Sequence, residues 1–545
     1  MKERMRTPMS HTLSRRSLLQ STAGITALGA AGLVAPAWTR AALQAEEEGQ
    51  FGGKFTAAVQ TPPPTLDVHT NLTSATREVT WFTLETLVSY GEDYALAPVL
   101  AESWETSEDG LSVNFKLREG VTFQNGKEMT SEDVVASMTR FLEVTPRAAQ
   151  FAMLDTFEAV DPYNVRFDLK YPSLAFLDSM ALPFCYVAIF PKEIIEGKEA
   201  DALELSDIVG TGPYKLVDWQ PDQYSRFERY EEYVSLDEPR SGMGGGKVPY
   251  FDEIELIPVT EVGARIAGLE TGEFDFAAAA PTTDYDALND NDDTMPVINP
   301  YFNTPCVLFN HRNELSSNLQ FRQAIQALAD MDAISMAITN GKSDFFTVQP
   351  SLWFPVSPWF NEAGAELYNQ KNPEKAKELL DASGYAGEEV VLVTNRNYDY
   401  MFKLIVALEE QMKSQLGMNT RVDVVDWPAQ NARWEEPDTW QISTTGWVSQ
   451  ALFAPDAFGA FYAEGSNAGA GYNNPDMIAA FDAALAAATV EDRLAAYADV
   501  QRIYHEDAAG LKICDNTSIE ALRSDIHDYA TWYQATRFWS VWRES

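Results

Sequence analysis

Strand-like and helix-like patterns of apolar residues follow one another along this chain. Residues 113–118 alternate between apolar and polar side chains, which predicts a strand with one buried face. Residues 130–133 (Thr-Ser-Glu-Asp) precede an apolar run that begins at Val134, which predicts the capped start of a helix. A second strand is predicted over residues 420–425, directly after a helical pattern.

The later part of the chain is rich in helical patterns. Apolar residues at helical spacing, or runs rich in alanine, predict helices over residues 321–334, 400–416, 478–488 and 491–504. Another helix is predicted to begin at Asn372-Pro373 and to end before Gly384, because proline suits the first helical turn and glycine commonly follows the last. Since helices and strands alternate, we predict an α/β architecture.

The first 45 residues have the layout of an export signal. Arg15 and Arg16 precede a short apolar stretch, and small residues follow, with cleavage predicted after Ala37, Ala41 or Ala42. The arginine pair resembles a twin-arginine signal, whose route carries folded proteins. The stretch is too short to span a bilayer, which takes about 20 apolar residues. No cysteine stands directly after this apolar stretch, where a lipid would be attached, so we expect no lipid anchor and a soluble exported protein.

Composition narrows the class of protein further. About 500 residues remain after such a signal, which is more than one hydrophobic core holds, so two or three lobes are expected. The full chain has 40 basic and 81 acidic residues, for a net charge of −41. Because six basic residues and one acidic residue lie in the first 45, the remainder carries a net charge of −46. Such a surface repels nucleic acid and anionic lipid, so neither is an expected partner.

Common catalytic and metal-binding signatures are missing from the sequence. The three cysteines are widely spaced, match no metal pattern and allow at most one disulfide; they are Cys185, Cys306 and Cys514. No His-Glu-x-x-His, Gly-x-Ser-x-Gly or Gly-x-Gly-x-x-Gly motif occurs, so no metal and no cofactor are expected. A pair of catalytic carboxylates is recognised by its spatial separation rather than by sequence. An exported carboxylate-dependent hydrolase therefore stays open as an alternative.

An ordered series of short blocks resembles a known family. Residues 96–105 read LAPVLAESWE, and the series continues with 109–110 (DG), 115–118 (FKLR), 120–123 (GVTF), 125–126 (NG), 131–134 (SEDV), 210–214 (GTGPY), 321–325 (FRQAI), 372–377 (NPEKAK) and 446–447 (GW). These blocks resemble the extracellular solute-binding proteins of ABC importers, in the oligopeptide-, dipeptide- and nickel-binding family 5. They keep the family's order across nearly the whole chain after the predicted signal.

This resemblance implies a fold and a function. The fold would be the two-lobed periplasmic-binding-protein fold of cluster C type, with an extra domain inserted in the first lobe. Domain I would comprise residues 46–87, 201–302 and 512–545, domain II 88–200, and domain III 303–511. The chain would be no enzyme but a periplasmic monomer without a cofactor. It would capture a peptide-like or carboxylate-bearing solute by lobe closure, and deliver it to an ABC permease and ATPase in the inner membrane.

The resemblance also places a ligand's amino group in question. Peptide-binding members have an aspartate three residues after the Gly-Trp tryptophan, where it pairs with the peptide's amino terminus. Gln450 stands there in this chain, and its amide supplies no charge to a buried ammonium group. An ordinary peptide with a free α-amine is therefore doubtful, unless Asp456 or another acid replaces the missing aspartate. A local insertion that shifts the alignment is the alternative explanation.

Other site residues follow from the same blocks. Arg396 matches an arginine that dipeptide-binding relatives use for the ligand carboxylate, although an ion pair with a protein acid is the alternative. Trp447 and Trp427 match pocket aromatics, with a core position as the alternative for each. The predicted ligand-binding set is completed by Tyr398 and Ser449 beside these residues, and by Thr76, Glu78 and Trp81 in the part of domain I that faces the ligand.

Overall fold

The fold is taken from a computed structural model, which describes residues 49–71, 73–198, 202–447, 470–532 and 535–544. The predicted export signal, residues 1–45, lies outside the described residues, as do Ser449 and Gln450. The described chain alternates helices and strands as an α/β protein does.

The strands are numbered in chain order. They are β1 (Lys54–Val59), β2 (Val88–Tyr90), β3 (Leu96–Pro98), β4 (Ala101–Thr106), β5 (Ser112–Leu117), β6 (Leu154–Asp161), β7 (Asn164–Leu169), β8 (Tyr214–Gln220), β9 (Tyr224–Arg229), β10 (Glu253–Pro258), β11 (Phe276–Ala280), β12 (Thr294–Phe309), β13 (Phe346–Thr347), β14 (Val390–Asn395), β15 (Thr420–Val425), β16 (Ile442–Trp447), β17 (Gly510–Lys512), β18 (Asp515–Arg523), β19 (Ile526–His527) and β20 (Trp542–Arg543). The alternating segment at 113–118 is thus confirmed as β5, whose apolar side chains are buried.

The helices are numbered in the same way. They are α1 (Ser74–Thr80), α2 (Ser131–Val144), α3 (Ala175–Ala181), α4 (Lys192–Ile195), α5 (Val262–Thr271), α6 (Tyr285–Asp290), α7 (Leu319–Leu328), α8 (Met331–Ile338), α9 (Pro373–Ala382), α10 (Asp399–Leu416), α11 (Trp427–Trp434), α12 (Pro475–Leu485) and α13 (Val490–Glu506). The predicted cap of α2 is confirmed, since Thr130 and Asp133 form a capping box. The predicted start of α9 is confirmed too, because the Asn372 side chain accepts a hydrogen bond from the Lys375 N–H.

One predicted helix is wrong in its extent. The pattern over 321–334 predicted a single helix, whereas the structure has two, α7 and α8, with a break at Ala329 and Asp330. Ala329 adopts an extended conformation, and the Asp330 carboxylate accepts a hydrogen bond from the Ala333 N–H as the N-cap of α8. The capping hydrogen bond satisfies a donor that would otherwise be left without a partner, which stabilises the break.

One large mixed sheet runs through the molecule in the order β15-β14-β16-β12-β18-β11-β1-β10-β9-β8. We call β8 to β11, β1 and β18 the first half-sheet, and β14 to β17 the second half-sheet. Strand β12 belongs to both, because residues 294–299 pair with β18 and residues 304–309 pair with β16. The ladder is irregular between Asn299 and Asn303, where the strand passes from one half-sheet to the other.

A separate sheet forms within residues 88–200. Its strands are antiparallel in the order β4-β5-β7-β6, and α2 packs on it. Phe115 and Phe167 lie on its buried face and meet edge to face at 5.6 Å. The apolar core of this sheet is continuous with that of the first half-sheet, whereas the second half-sheet packs around a core of its own. The domain boundaries inferred from the sequence stay a prediction.

Candidate ligand-binding site

Three parallel strand ends meet at one edge of the second half-sheet. Strand β14 is parallel to both β15 and β16, so their carboxyl ends lie side by side. The antiparallel strand β12 reaches the same edge from the opposite direction, with Thr304 opposite Trp447. Ligands of open α/β sheets bind outside the carboxyl ends of the strands. This edge therefore carries the candidate site, and the predicted residues Arg396, Tyr398, Trp427 and Trp447 all lie on it.

Buried amide groups hold the loop after β14 in place. The fully buried Asn395 donates to Gln430 Oε1 at 2.7 Å and accepts from the Tyr398 N–H at 2.9 Å. The Trp427 N–H donates to Asn397 Oδ1 at 2.9 Å, which ties the start of α11 to the same loop. Because the buried amides of Asn395 and Gln430 bond to each other out of water, they help to fix the backbone from which Arg396 and Tyr398 project.

An aromatic wall lies beside this loop. The Trp427 ring is half-buried between Tyr398 at 5.4 Å and Trp434 at 5.6 Å, and both contacts are edge to face. Tyr398 is the most open of the three, with 43% of its surface exposed. Aromatic rings in this arrangement offer apolar area and a stacking face to a bound molecule. Contact of Trp427 and Tyr398 with a ligand stays a prediction that this exposure favours.

Arg396 is exposed and lies over the ring of Phe402, with its guanidinium carbon 3.5 Å from the ring centroid. No acidic residue within the described ranges forms an ion pair with it, so the alternative reading of a structural salt bridge has no support there. Stacking on an aromatic face leaves the N–H donors at the rim of a guanidinium group available. Arg396 can therefore present a bidentate fork to a carboxylate.

Trp447 ends β16 and is fully buried, packing against Cys306 and Tyr504. This is the environment of a core residue, so its predicted contact with a ligand stays a prediction. The preceding residue, Gly446, is more informative. A Cβ atom at Gly446 would lie 2.3 Å from the hydroxyl oxygen of Tyr400, so the close approach of these two residues requires glycine.

Three residues near α1 were predicted to bind the ligand, namely Thr76, Glu78 and Trp81, and two of them, Thr76 and Trp81, are buried. The Thr76 hydroxyl donates to the Thr65 carbonyl at 2.9 Å, which fixes α1 against the preceding loop. Trp81 follows α1, is 2% exposed and packs within the core. The structure thus uses both side chains for packing, and their contact with a ligand stays a prediction.

Glu78, the third of these residues, is half-buried and lies near a second acid, Glu520 of β18. Loss of hydration raises the pKa of Glu78 to about 8; the charge of Arg77 opposes this rise, and the charge of Glu520 adds to it. The pKa of Glu520 is raised to about 7 by burial, although Tyr529 donates a hydrogen bond to it at 2.5 Å. Both carboxyl groups are thus shielded from water, although each residue is only half-buried.

Glu78→Gln is expected to stabilise the protein at pH 8 and to change little at pH 5. The folded chain holds the Glu78 proton up to about pH 8, whereas an ordinary glutamate releases it near 4.5. Stability is therefore lost as the pH rises from 4.5 to 8, and glutamine removes that loss of about 1–3 kcal/mol. Urea unfolding at both pH values measures it. Glu410→Gln, at an exposed position, is the control, and equal effects of Glu78→Gln at both pH values would contradict the assignment.

Several residues of this site carry no local sequence signal. Gln430 and Tyr400 act through contacts with residues distant in sequence, and Glu520 meets Glu78 from the other end of the chain. Within the described ranges no cluster of three or more histidine, cysteine or acidic residues could hold a metal ion. The same part of the chain contains no helix of the length and hydrophobicity needed to cross a membrane.

Known proteins resemble this chain over most of its length. Heme-binding protein A of Haemophilus influenzae is 26% identical over 469 residues, which cover 80% of this chain and 81% of that protein. The glutathione-binding protein GsiB of Pectobacterium atrosepticum is 29% identical over 349 residues, which cover 62% of this chain and 63% of that protein. Both relatives carry the names of binding proteins.

The same likeness holds for the fold. The crystal structure of the ABC transporter substrate-binding protein CtaP from Listeria monocytogenes has a TM-score of 0.80 at 22% identity, covering 91% of this chain and all of that one. The protein therefore has the two-lobed α/β fold of such binding proteins. A family profile described as "Bacterial extracellular solute-binding proteins, family 5 Middle" matches residues 95–469. Because this match spans more than half of the chain, the chain belongs to the bacterial extracellular solute-binding proteins of family 5.

Proposed function

We propose that this protein captures a small organic solute between its two lobes and delivers it to the permease and ATPase of an ABC importer. The convergence of three strand ends with Arg396 and the Tyr398–Trp427 wall carries the proposal, because it joins a charged fork to an apolar stacking face. The family consists of binding proteins rather than enzymes, so the hydrolase alternative is not retained. The hinge for lobe closure would lie where the chain crosses between the lobes, near residues 301–310 and 512–516.

A thermal-shift screen tests capture directly. A panel of trialanine, glutathione, octopine, galacturonate and hemin represents peptides, amino-acid derivatives, sugar acids and heme. A solute that binds the folded protein alone stabilises it by about 2.7 kcal/mol at 100 times its dissociation constant. We expect at least one of these compounds to raise the unfolding midpoint in proportion to the logarithm of its concentration. An unfolding midpoint that stays unchanged with every compound would count against the capture of solutes of these classes.

Arg396→Ala is expected to weaken binding of an acidic panel compound at least tenfold while leaving the unfolding midpoint nearly unchanged. A hydrogen-bonded charge pair contributes about 1.5–3 kcal/mol, whereas an exposed side chain such as Arg396, which stacks on Phe402 and forms no ion pair among the described residues, contributes little to folding. Isothermal titration calorimetry measures the affinity. Arg396→Lys keeps the charge and loses the fork, so intermediate binding is expected. Unchanged affinity in Arg396→Ala would remove this residue from the site.

Export to the periplasm by the twin-arginine route is the further element of this proposal. Replacing Arg15 and Arg16 with lysine keeps the charge of the leader and removes the arginine pair. We expect the substituted chain to stay in the cytoplasm and the natural chain to appear in the periplasmic fraction. Equal amounts of both chains in that fraction would show that export follows another route.

A further inference from the structure

Arg77, on α1, has an unusual environment for an arginine. It is 4% exposed, and its Nε and Nη1 atoms are buried without a hydrogen-bond partner in the structure. No acidic side chain of the described residues forms an ion pair with it. Other buried arginines have hydrogen-bond partners: Arg140 binds Asp67 at 2.6 Å, Arg537 binds Glu92 at 2.7 Å, and Arg265 donates to the Ala278 carbonyl at 2.8 Å. An isolated buried charge costs several kcal/mol, so Arg77 stands as an exception in a chain with 81 acidic residues.

A second arginine, Arg147, lies beside the segment that follows α3. Arg147 packs its guanidinium group over the Phe184 ring at 5.0 Å and, within the described chain, has neither an ion pair nor a side-chain hydrogen bond. Arg77 and Arg147 both lie near enough to the Cys185 thiol to act on its pKa. The thiol itself donates to the Gln150 side chain at 2.5 Å. Both cations therefore act on the buried Cys185 thiol, whose surroundings form the region considered below.

Burial favours the uncharged forms of the titratable groups in this region. Burial raises the pKa of Cys185 to about 12 and that of Glu78 to about 8, and it raises the pKa of Tyr186 well above its usual range. The acids of neighbouring elements are already paired: Asp178 of α3 binds Arg493, and Glu85 binds Lys247 at 2.6 Å. Among the residues that the structure describes, no acidic side chain forms an ion pair with Arg77 or Arg147.

The region lies next to a contact between the segment around α3 and the helices α12 and α13. Cys185 follows α3, and Asp178 of α3 forms its ion pair with Arg493 of α13. The Ser173 hydroxyl, just before α3, donates to the Leu485 carbonyl at 2.7 Å, at the end of α12. A group bound beside Arg77 would therefore be buried near the surface where residues 88–200 meet α12 and α13.

We propose that Arg77 and Arg147 form an anion-binding subsite that takes an acidic group, a carboxylate in the first instance, of the captured solute. This inference rests on the proposed function, which supplies the solute. An arriving carboxylate would accept hydrogen bonds from the unpartnered Nε and Nη1 donors of Arg77, in the side-on geometry that guanidinium groups favour. With Arg396 on the second lobe, the site would hold a solute with two acidic groups. Heme and glutathione, named in two of the relatives, are both dicarboxylates.

Arg77→Met separates this role from a structural one. Methionine fills similar space without charge, so the ligand-free variant should unfold about 1–3 °C higher, because an unpaired buried charge has been removed. Its affinity for an acidic panel compound, such as glutathione, should fall at least tenfold in calorimetry. The diethyl ester of glutathione should bind the variant and the natural protein alike. Arg147→Met should weaken acid binding less, since Arg147 is more exposed. Arg502→Met, at an exposed ion pair of α13, is the control.

Each outcome decides between the proposals. If a panel acid binds and Arg77→Met leaves its affinity unchanged, the subsite is overturned while solute capture stands. If Arg77→Met unfolds at a lower temperature and keeps full acid affinity, Arg77 is structural. If no acid of the panel raises the unfolding midpoint of the natural protein, crystals grown in sodium bromide provide the test. Anomalous density for bromide beside Arg77 that is lost in Arg77→Met would support the anion-binding subsite, even though the protein does not capture these acids. The absence of such density overturns the subsite.

Discussion

Lys512→Met is expected to lower the unfolding free energy by about 3–5 kcal/mol, because it leaves the buried Asp515 carboxylate without its positive partner. Lys512 and Asp515 form a 2.6 Å ion pair in which both side chains are fully buried. Burial lowers the pKa of Lys512 and raises that of Asp515, so each group depends on the other to stay charged. The pair lies where the chain leaves β17 for β18, at the second crossing between the half-sheets. Urea unfolding followed by circular dichroism measures the loss.

Two further variants identify the cause of this loss. Lys512→Met combined with Asp515→Asn should recover much of the stability, because Gln349 can still donate to the residue at 515, as it does now at 2.6 Å. Lys377→Met breaks an exposed ion pair with Asp381 and should cost less than about 1 kcal/mol. A double variant as unstable as Lys512→Met would show that packing, rather than the unpaired charge, determines the loss.

Arg493→Met is expected to weaken solute binding about tenfold and to expand the molecule. Arg493 of α13 pairs with Asp178 of α3, stacks on the Trp359 ring at 4.8 Å, and is almost fully buried. The pair joins residues 88–200 to α13. Its loss should therefore favour an open arrangement, in which these two parts of the chain lie farther apart. A shift of 1.4 kcal/mol away from the binding-competent state reduces the apparent affinity tenfold. Calorimetry with an acidic panel compound and small-angle X-ray scattering measure both effects.

The partner side of the same contact provides the matched test. Asp178 also accepts a hydrogen bond from the Tyr90 hydroxyl at 2.8 Å, and asparagine retains that acceptor. Asp178→Asn should therefore expand the molecule less than Arg493→Met. Arg502→Met, on the exposed face of α13, should change neither property. A radius of gyration that is unchanged in Arg493→Met would show that the pair does not hold the lobes together.

Local elements could be predicted well because their causes are local. Strand β5 follows from the alternation of Val113, Phe115 and Leu117, and α9 from Asn372 and Pro373 at its start. The break between α7 and α8 was missed, since the apolar spacing continues across it and only the cap at Asp330 ends the first helix. The order of the family blocks predicted the two-lobed fold and membership of family 5, because short motifs in a fixed order are specific when taken together.

The candidate site was predicted in part. The sequence placed Arg396, Tyr398 and Trp427 together, and the structure puts them on one edge because β14 and β15 end side by side. Trp447 matched a pocket motif, yet its ring is buried, since burial depends on neighbours such as Tyr504 that lie far along the chain. No local pattern could show this.

The sequence by itself determined the class of protein, through its local patterns, its excess of acidic residues and its ordered family blocks. Only the tertiary structure decided which charges are paired. Asp178 and Arg493 lie 315 positions apart, and Glu78 meets Glu520 across almost the whole chain. Among the described residues, Arg77 is a buried arginine whose Nε and Nη1 donors have no hydrogen-bond partner, which its place in the sequence does not reveal. Pairing and desolvation depend on distances in space, which chain folding creates and which residue order alone does not contain.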